Sequence, residues 1–186
     1  MNKIETSLPG VWVLEPQVFG DERGFFFESY HAERMAGLGI SNQWIQDNHS
    51  FSRRGTLRGL HYQLRYPQAK LCRVVSGEVL DVAVDIRRDS PTFGQWTSAL
   101  LSAQNKRQIY VPRGFAHGFL VLSESADFLY KCDEYYHPED ERGIMWDDAQ
   151  MGIDWQIPAE VELLLSGKDR QLPRLAEVPP EELPGY

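Results

Sequence analysis

An imidazole and a guanidinium stand three residues apart in the stretch TLRGLHYQ, residues 56–63, and a lysine follows at position 70. Histidine, with an unperturbed pKa of about 6.5, is largely neutral at pH 7 and free to accept a proton. A guanidinium offers a rigid fork of donors for phosphate or carboxylate oxygens, and an ammonium supplies a compact positive charge. Arg58, His61 and Lys70 therefore suit proton transfer beside an anion. Two further polar and aromatic stretches, RGFAHGF and YKCDEYYHPEDERGI, add to that reading. Strand alternation raises a difficulty, because it groups His61 with Leu57, Gly59 and Gln63 and turns Arg58 the other way with Leu60 and Tyr62. Both can reach one ligand only if Gly59 marks a bulge, a bend or a strand start.

Five histidines in a strand-rich chain first suggest a metal. The ligand arithmetic argues against it: His61-Tyr62-Gln63 offers one imidazole, and LRYPQAK after it carries no carboxylate. Divalent ions need three or four convergent ligands, so neither metal nor cofactor is expected. Cys72 and Cys132 are too few and too far apart for a disulfide framework or a zinc site and read as reduced packing residues. His31, His49 and His137 read as incidental.

These groups need a scaffold, and 186 residues fit one domain, which buries roughly 70% of the surface its unfolded chain exposes. A net charge of -8 argues against a nucleic-acid partner, since that affinity rests on clustered Lys and Arg, but it leaves room for a local basic pocket. MNKIETSLPG has no apolar core of the signal-peptide kind, and no later run approaches the ~20 apolar residues that span a bilayer. A cytoplasmic chain with no membrane partner is expected.

Strand patterns dominate. LCRVVSGEVLDVAVDI, residues 71–86, reads as a hairpin turning at Ser76-Gly77. Its second arm sets Leu80, Val82, Val84 and Ile86 on a core face, and Val79, Asp81, Ala83 and Asp85 on a face that lines a cavity or meets water. Further strands are expected over residues 11–14, 24–29, 43–50, 96–101, 106–111, 118–122 and 126–133, with short helices near 31–38 and 159–165. PRGFAHG is turn chemistry, with Gly114 and Gly118 flanking His117. Many short strands in one domain point to an all-β closed barrel or double-sheet jelly roll. The end, VPPEELPGY, reads as part of a loosely held tail from about residue 174.

RGFFFE, QDNHS, TLRGLHYQ, KLCRVVSGEVLDVAVDIRRDSPTFG, VPRGFAHGFLVL, YKCDEYYHPEDERGI and LLLSGKDRQLP, in that order, resemble the successive motifs of the dTDP-4-dehydrorhamnose 3,5-epimerases. The resemblance runs from about Gly10 to Pro173. It implies a cupin-type jelly roll with a few short helices, a homodimer, and a cofactor-free isomerase. The implied reaction inverts C3 and C5 of dTDP-4-keto-6-deoxyglucose to give dTDP-4-keto-L-rhamnose, on the way to dTDP-L-rhamnose. A C4 ketone acidifies both flanking C–H bonds, so one base and one acid on opposite faces suffice.

By resemblance, His61 is the base and Asp169 of SGKDR its carboxylate partner, with Asp81 a second candidate for that support. Lys70 matches the cation beside the developing enolate, and Tyr130 the acid that reprotonates the far face. Arg23, Arg58, His117 and Lys168 would meet the diphosphate or adjoining groups, while Glu28, Gln46, Asp47 and Asn48 recognise the nucleotide. Tyr136 resembles the aromatic that stacks on thymine, and Glu141 shares its motif. A short LRYPQA loop and Gln156 after Trp155 depart from the family pattern. Epimerases acting at C3 alone or C5 alone share these motifs. A non-catalytic sugar-nucleotide binder would not need His61, Lys70, Tyr130 and Asp169 together.

Overall fold

The computed structural model describes residues Met1–Tyr186. Its strands, numbered along the chain, form two antiparallel sheets and one separate hairpin. The first sheet runs β1 (Asn2–Glu5), β2 (Trp12–Glu15), β10 (Gln108–Val111), β7 (Lys70–Ser76), β12 (Ser125–Cys132) and β5 (Gln46–Arg53). The second runs β13 (Glu141–Gly143), β6 (Leu57–Gln63), β11 (Phe115–Val121), β8 (Glu78–Asp85) and β9 (Trp96–Ser102). β3 (Val18–Asp21) and β4 (Gly24–Phe27) pair only with each other. One short helix, α1 (Ala32–Gly37), and four single 3-10 turns complete an all-β jelly roll.

The two large sheets pack face to face because each contributes alternate apolar side chains to one interior. Val13, Cys72, Val74, Ile109 and Phe128 from the first meet Val79, Ala83, Leu101 and Phe119 from the second. Burying each large apolar side chain contributes about 1.5–3 kcal/mol. The outer face of the second sheet is buried as well, since Leu57, Leu60, Leu80, Val82 and Val84 lie beneath Trp155, Leu175, Val178 and Leu183.

That outer layer corrects two expectations. The Pro-rich end is not loose: Leu175, Val178 and Leu183 are buried on the sheet, and the Tyr62 hydroxyl donates to the Glu182 carbonyl at 2.9 Å. Residues 159–165 are not helical either. Leu57 N–H donates to the Leu164 carbonyl, and Leu164 N–H donates to the Gly55 carbonyl, so the chain runs extended beside the start of β6. Leu163 and Leu165 then turn together into the outer core, a period-two pattern.

The expected hairpin over residues 71–86 is also corrected. β7 and β8 lie in different sheets, and the turn carries the chain across the sandwich. Gly77 makes the crossing with φ +78, where an added Cβ would run into the Ser125 carbonyl. Consequently the Asp81 face of β8 points between the sheets, and Val79 and Ala83 share it in the core.

Gly118 lies within β11 rather than in a turn; Gly114 alone, at φ +87, makes the bend before the strand. Gly118 faces Gly59 across the β6–β11 pair, and that pair changes register between His117 and Phe119. A Cβ on Gly59 would come within 2.7 Å of Gly118 Cα and of the His117 carbonyl oxygen. The two glycines thus let the strands approach where the alternation breaks. Leu57, Leu60 and Tyr62 face the outer core, whereas Arg58 and His61 both face inward.

Candidate active site

A cavity of about 410 Å³ opens between the sheets. The second sheet supplies Arg58 and His61 from β6, His117 from β11, and Glu141 from the start of β13. The first sheet faces them with Lys70 from β7, Gln46 and Asn48 from β5, and Tyr130 from β12. Tyr136 stands at the mouth, and the loop carrying Ser166, Lys168 and Asp169 closes one side.

His61 Nε2 lies 2.6 Å from Asp169 Oδ1. Burial raises the Asp169 pKa, but the His61 hydrogen bond and charge, and the Ser166 hydroxyl, outweigh it and hold the carboxyl below its ordinary value. An ionised carboxylate only accepts, so Nε2 carries a proton in this contact, and in the neutral ring Nδ1 is the nitrogen that holds the lone pair. Ser166 orients the carboxylate in turn: its hydroxyl donates to Asp169 Oδ2 at 2.8 Å and accepts from the Asp169 N–H at 3.0 Å. Glu141 Oε1 lies 3.9 Å from His61 Nδ1. Glu141 Oε2 accepts from Lys168 and, at 3.0 Å, from the Tyr136 hydroxyl. Burial pushes the Glu141 carboxyl up, yet the Lys168 hydrogen bond and the His61 charge prevail and lower its pKa. The His61 imidazole therefore has a carboxylate beside each ring nitrogen.

The opposite wall is different. Tyr130 is held protonated by burial, its pKa pushed up to about 12. The Lys70 ammonium sits 5.9 Å from the Tyr130 ring centroid. Back on the His61 sheet, Arg58 spends its Nε and Nη2 donors on the Ser52 hydroxyl, at 3.2 and 3.1 Å. Neither Lys70 nor Arg58 forms an ion pair with a carboxylate, so each presents uncompensated positive charge to the cavity. The chain is acidic overall, and its cavity is locally suited to an anion.

Asp81 is not a second support for His61. It lies at 0% exposure beneath His117, with both carboxylate oxygens 2.9 Å from His117 Nε2. Three other expected residues fall outside the cavity. Strand alternation on β5 turns Gln46 and Asn48 inward and Asp47 outward, where Asp47 pairs with Lys131 at 3.0 Å. Glu28 pairs with Arg34 at 3.1 Å, and Arg23 sits on the β3–β4 turn beside Asp21. Ser50, Gln68, Phe119, Phe128 and Ser166 line the cavity without having been singled out in the sequence. Only Ser166 left a signal, the S-x-x-D spacing of reciprocal Ser–Asp hydrogen bonding.

Known proteins resemble this chain in sequence and fold. The family model for dTDP-4-dehydrorhamnose 3,5-epimerase matches residues 5–177. A protein of that name from Pseudomonas aeruginosa is 56% identical over 174 residues, covering 92% of this chain and 94% of its own. The crystal structure of dTDP-6-deoxy-D-glucose-3,5-epimerase from Legionella pneumophila, in complex with dTDP-4-keto-L-rhamnose, is 52% identical with a TM-score of 0.96, covering 100% of this chain and 98% of that one. A 3'-monoepimerase from Streptomyces bikiniensis, in complex with dTDP-quinovose, is 35% identical with a TM-score of 0.88, covering 97% of this chain and 91% of its own. Matched in sequence and in sandwich fold over nearly its whole length, the chain belongs to the dTDP-4-dehydrorhamnose 3,5-epimerase family.

Proposed function

We propose that this protein inverts C3 and C5 of dTDP-4-keto-6-deoxyglucose, giving dTDP-4-keto-L-rhamnose without a cofactor. One observation carries the reading: a carboxylate-paired imidazole stands on one sheet and a partly buried, protonated phenol with an unpaired lysine stands on the other. Inversion at carbon requires removal of a proton from one face and its return to the opposite face. His61 Nδ1 takes the proton from the carbon beside the ketone, and the electron pair moves through the new C=C bond onto the ketone oxygen. Lys70 stabilises that enolate oxygen more than the neutral ketone, which is what accelerates the step. Tyr130 returns a proton to the far face. Asp169 and Glu141 stabilise the imidazolium in the interval.

Identities of 56% and 52% to 3,5-epimerases, against 35% to the 3'-monoepimerase, support inversion at both carbons. Arg58 is the nearest candidate for the diphosphate, with His117 and Lys168 adjoining. Tyr136, with Gln46 and Asn48, frames the mouth where the base would lie.

The protein works as a homodimer in this reading. Phe25 and Phe26 are 63% and 70% exposed on a hairpin that pairs with neither large sheet, an apolar surface that a second copy would cover. Arg23 sits at the tip of that hairpin, and Glu28 just beyond it, so both would reach a nucleotide only in the neighbouring subunit. Sedimentation at micromolar concentration should give a dimer; a monomer would remove the hairpin's role.

The reaction is tested by incubating the protein with dTDP-4-keto-6-deoxyglucose in D2O and following C3 and C5 by NMR. Deuterium should enter at both carbons. Entry at one would narrow the activity to a single epimerisation, and entry at neither would sink the enzyme reading.

A further inference from the structure

Beneath the cavity floor, side chains from two strands converge on one ring nitrogen of a third strand's His117. Cys72 of β7 brings Sγ to 3.9 Å from His117 Nε2. Asp81 of β8 holds both carboxylate oxygens 2.9 Å from the same atom. One ligand atom from each of the three lies within 4.8 Å of the others. All three residues are buried, and His117 is the one that lines the cavity. The His117–Asp81 hydrogen bond is complete without the thiol, and proton transfer at His61 draws on neither Cys72 nor Asp81.

We propose that Cys72, Asp81 and His117 form a site for a thiophilic divalent cation of the zinc or cadmium kind, whose occupation inhibits turnover. The donors select the ion class, since thiolate and imidazole favour such ions over Mg²⁺ and Ca²⁺. Tetrahedral zinc bonds of about 2.0–2.3 Å separate sulfur from nitrogen by about 3.6 Å and nitrogen from oxygen by about 3.3 Å. The observed sulfur–nitrogen spacing is already close to that, and the carboxylate must withdraw by less than about 0.5 Å. Three protein ligands leave a fourth position for water or a substrate oxygen, on the side where His117 meets the cavity.

Binding involves no redox change. The thiol proton passes to solvent, and the imidazole proton moves to Nδ1 so that Nε2 can ligate. One thiolate and one carboxylate then balance the two charges of the ion. Burial at present pushes the Cys72 thiol well above its ordinary pKa, and a bound cation supplies the stabilisation that the dry surroundings withhold. The inhibitory part of the proposal rests on His117 belonging to the substrate cavity; the binding part does not.

Cadmium chloride titrated into the full chain should raise the ultraviolet charge-transfer band of a cadmium–thiolate bond, saturating at one equivalent. Zinc chloride should inhibit epimerisation where magnesium chloride does not. Cys72→Val should abolish the band and leave turnover without zinc unchanged. It should raise the half-inhibiting zinc concentration at least about tenfold, a loss that even outer-shell changes cause. Cys72→Ser, nearly isosteric, must weaken cadmium binding in the same direction, and Cys132→Ser must keep the band. No band in the parent chain, or a band that survives Cys72→Val, overturns the site. Equal zinc inhibition of parent and Cys72→Val overturns the inhibitory claim and moves the ion to His61, Glu141 and Asp169. Because the cadmium band is read without substrate, it stands or falls apart from the catalytic reading.

Discussion

Two histidine–carboxylate pairs lie on the same sheet, His61 with Asp169 and His117 with Asp81, and their surroundings divide them. The His61 side chain is 26% exposed, and its carboxylate arrives from a loop after the last strand. The His117 side chain is 7% exposed, and its carboxylate rises from the neighbouring strand at 0%. In the first pair Asp169 occupies one ring nitrogen and leaves the other toward a ligand. In the second, Asp81 and Cys72 both address Nε2 from within the core. The same two residue types thus make a partly exposed pair lining the cavity in one place and a buried polar contact in the other. Exposure of the imidazole separates them, together with the positive charge of Lys70 across the cavity from His61.

The sharpest way to break that comparison is His61→Ala, which should lower kcat by about a thousandfold while circular dichroism stays unchanged. A normal rate of deuterium entry in that variant would show the base to be elsewhere. Lys70→Met removes the unpaired charge opposite and should cost about a hundredfold to a thousandfold in kcat, with little change in KM. A change confined to KM would make Lys70 a binding group instead.

The two aspartates should fail in opposite ways. Asp81→Ala strands a buried imidazole and should lose about 3 kcal/mol of stability in urea unfolding. Asp169→Ala should lose less stability and about a hundredfold in kcat. Matching losses in both assays for both variants would erase the distinction between the pairs.

The smallest effect concerns the far wall. Burial raises the Tyr130 pKa from 10.0 to about 12. The folded chain therefore keeps a proton that the unfolded chain releases, so this contribution is fully present below pH 10 and lost as pH rises toward 12. Tyr130→Phe should flatten that alkaline loss by about 2 kcal/mol, read from urea midpoints across the window. An unchanged slope would mean that the phenol is not held protonated by the fold.

Local pattern made most strands legible, because period-two alternation survives wherever one face meets the sandwich core. Gln46–Arg53, Trp96–Ser102 and Ser125–Cys132 fall close to the expected spans. The failures share a cause. Leu163, Leu164 and Leu165 suggested a helix because sequence carries no sign of the strand beside which they lie, and the Pro-rich end gave no hint of the apolar sheet face it covers. The turn at Gly77 was legible as a turn, whereas its crossing between sheets depends on partners far along the chain.

The sequence alone determined the family, the all-β class and the chemical types required at the site, since these reside in short ordered words such as GLHYQ and SGKDR. Gly59 was identifiable there as the place where alternation must break. Only the tertiary structure decided that the break meets Gly118 and turns Arg58 and His61 into one cavity. It also assigned Asp169 to His61 and Asp81 to His117. The physical reason is range: alternation and turn chemistry act over a few neighbouring residues, whereas the His61–Asp169 contact joins positions 108 residues apart that meet only after both sheets have packed.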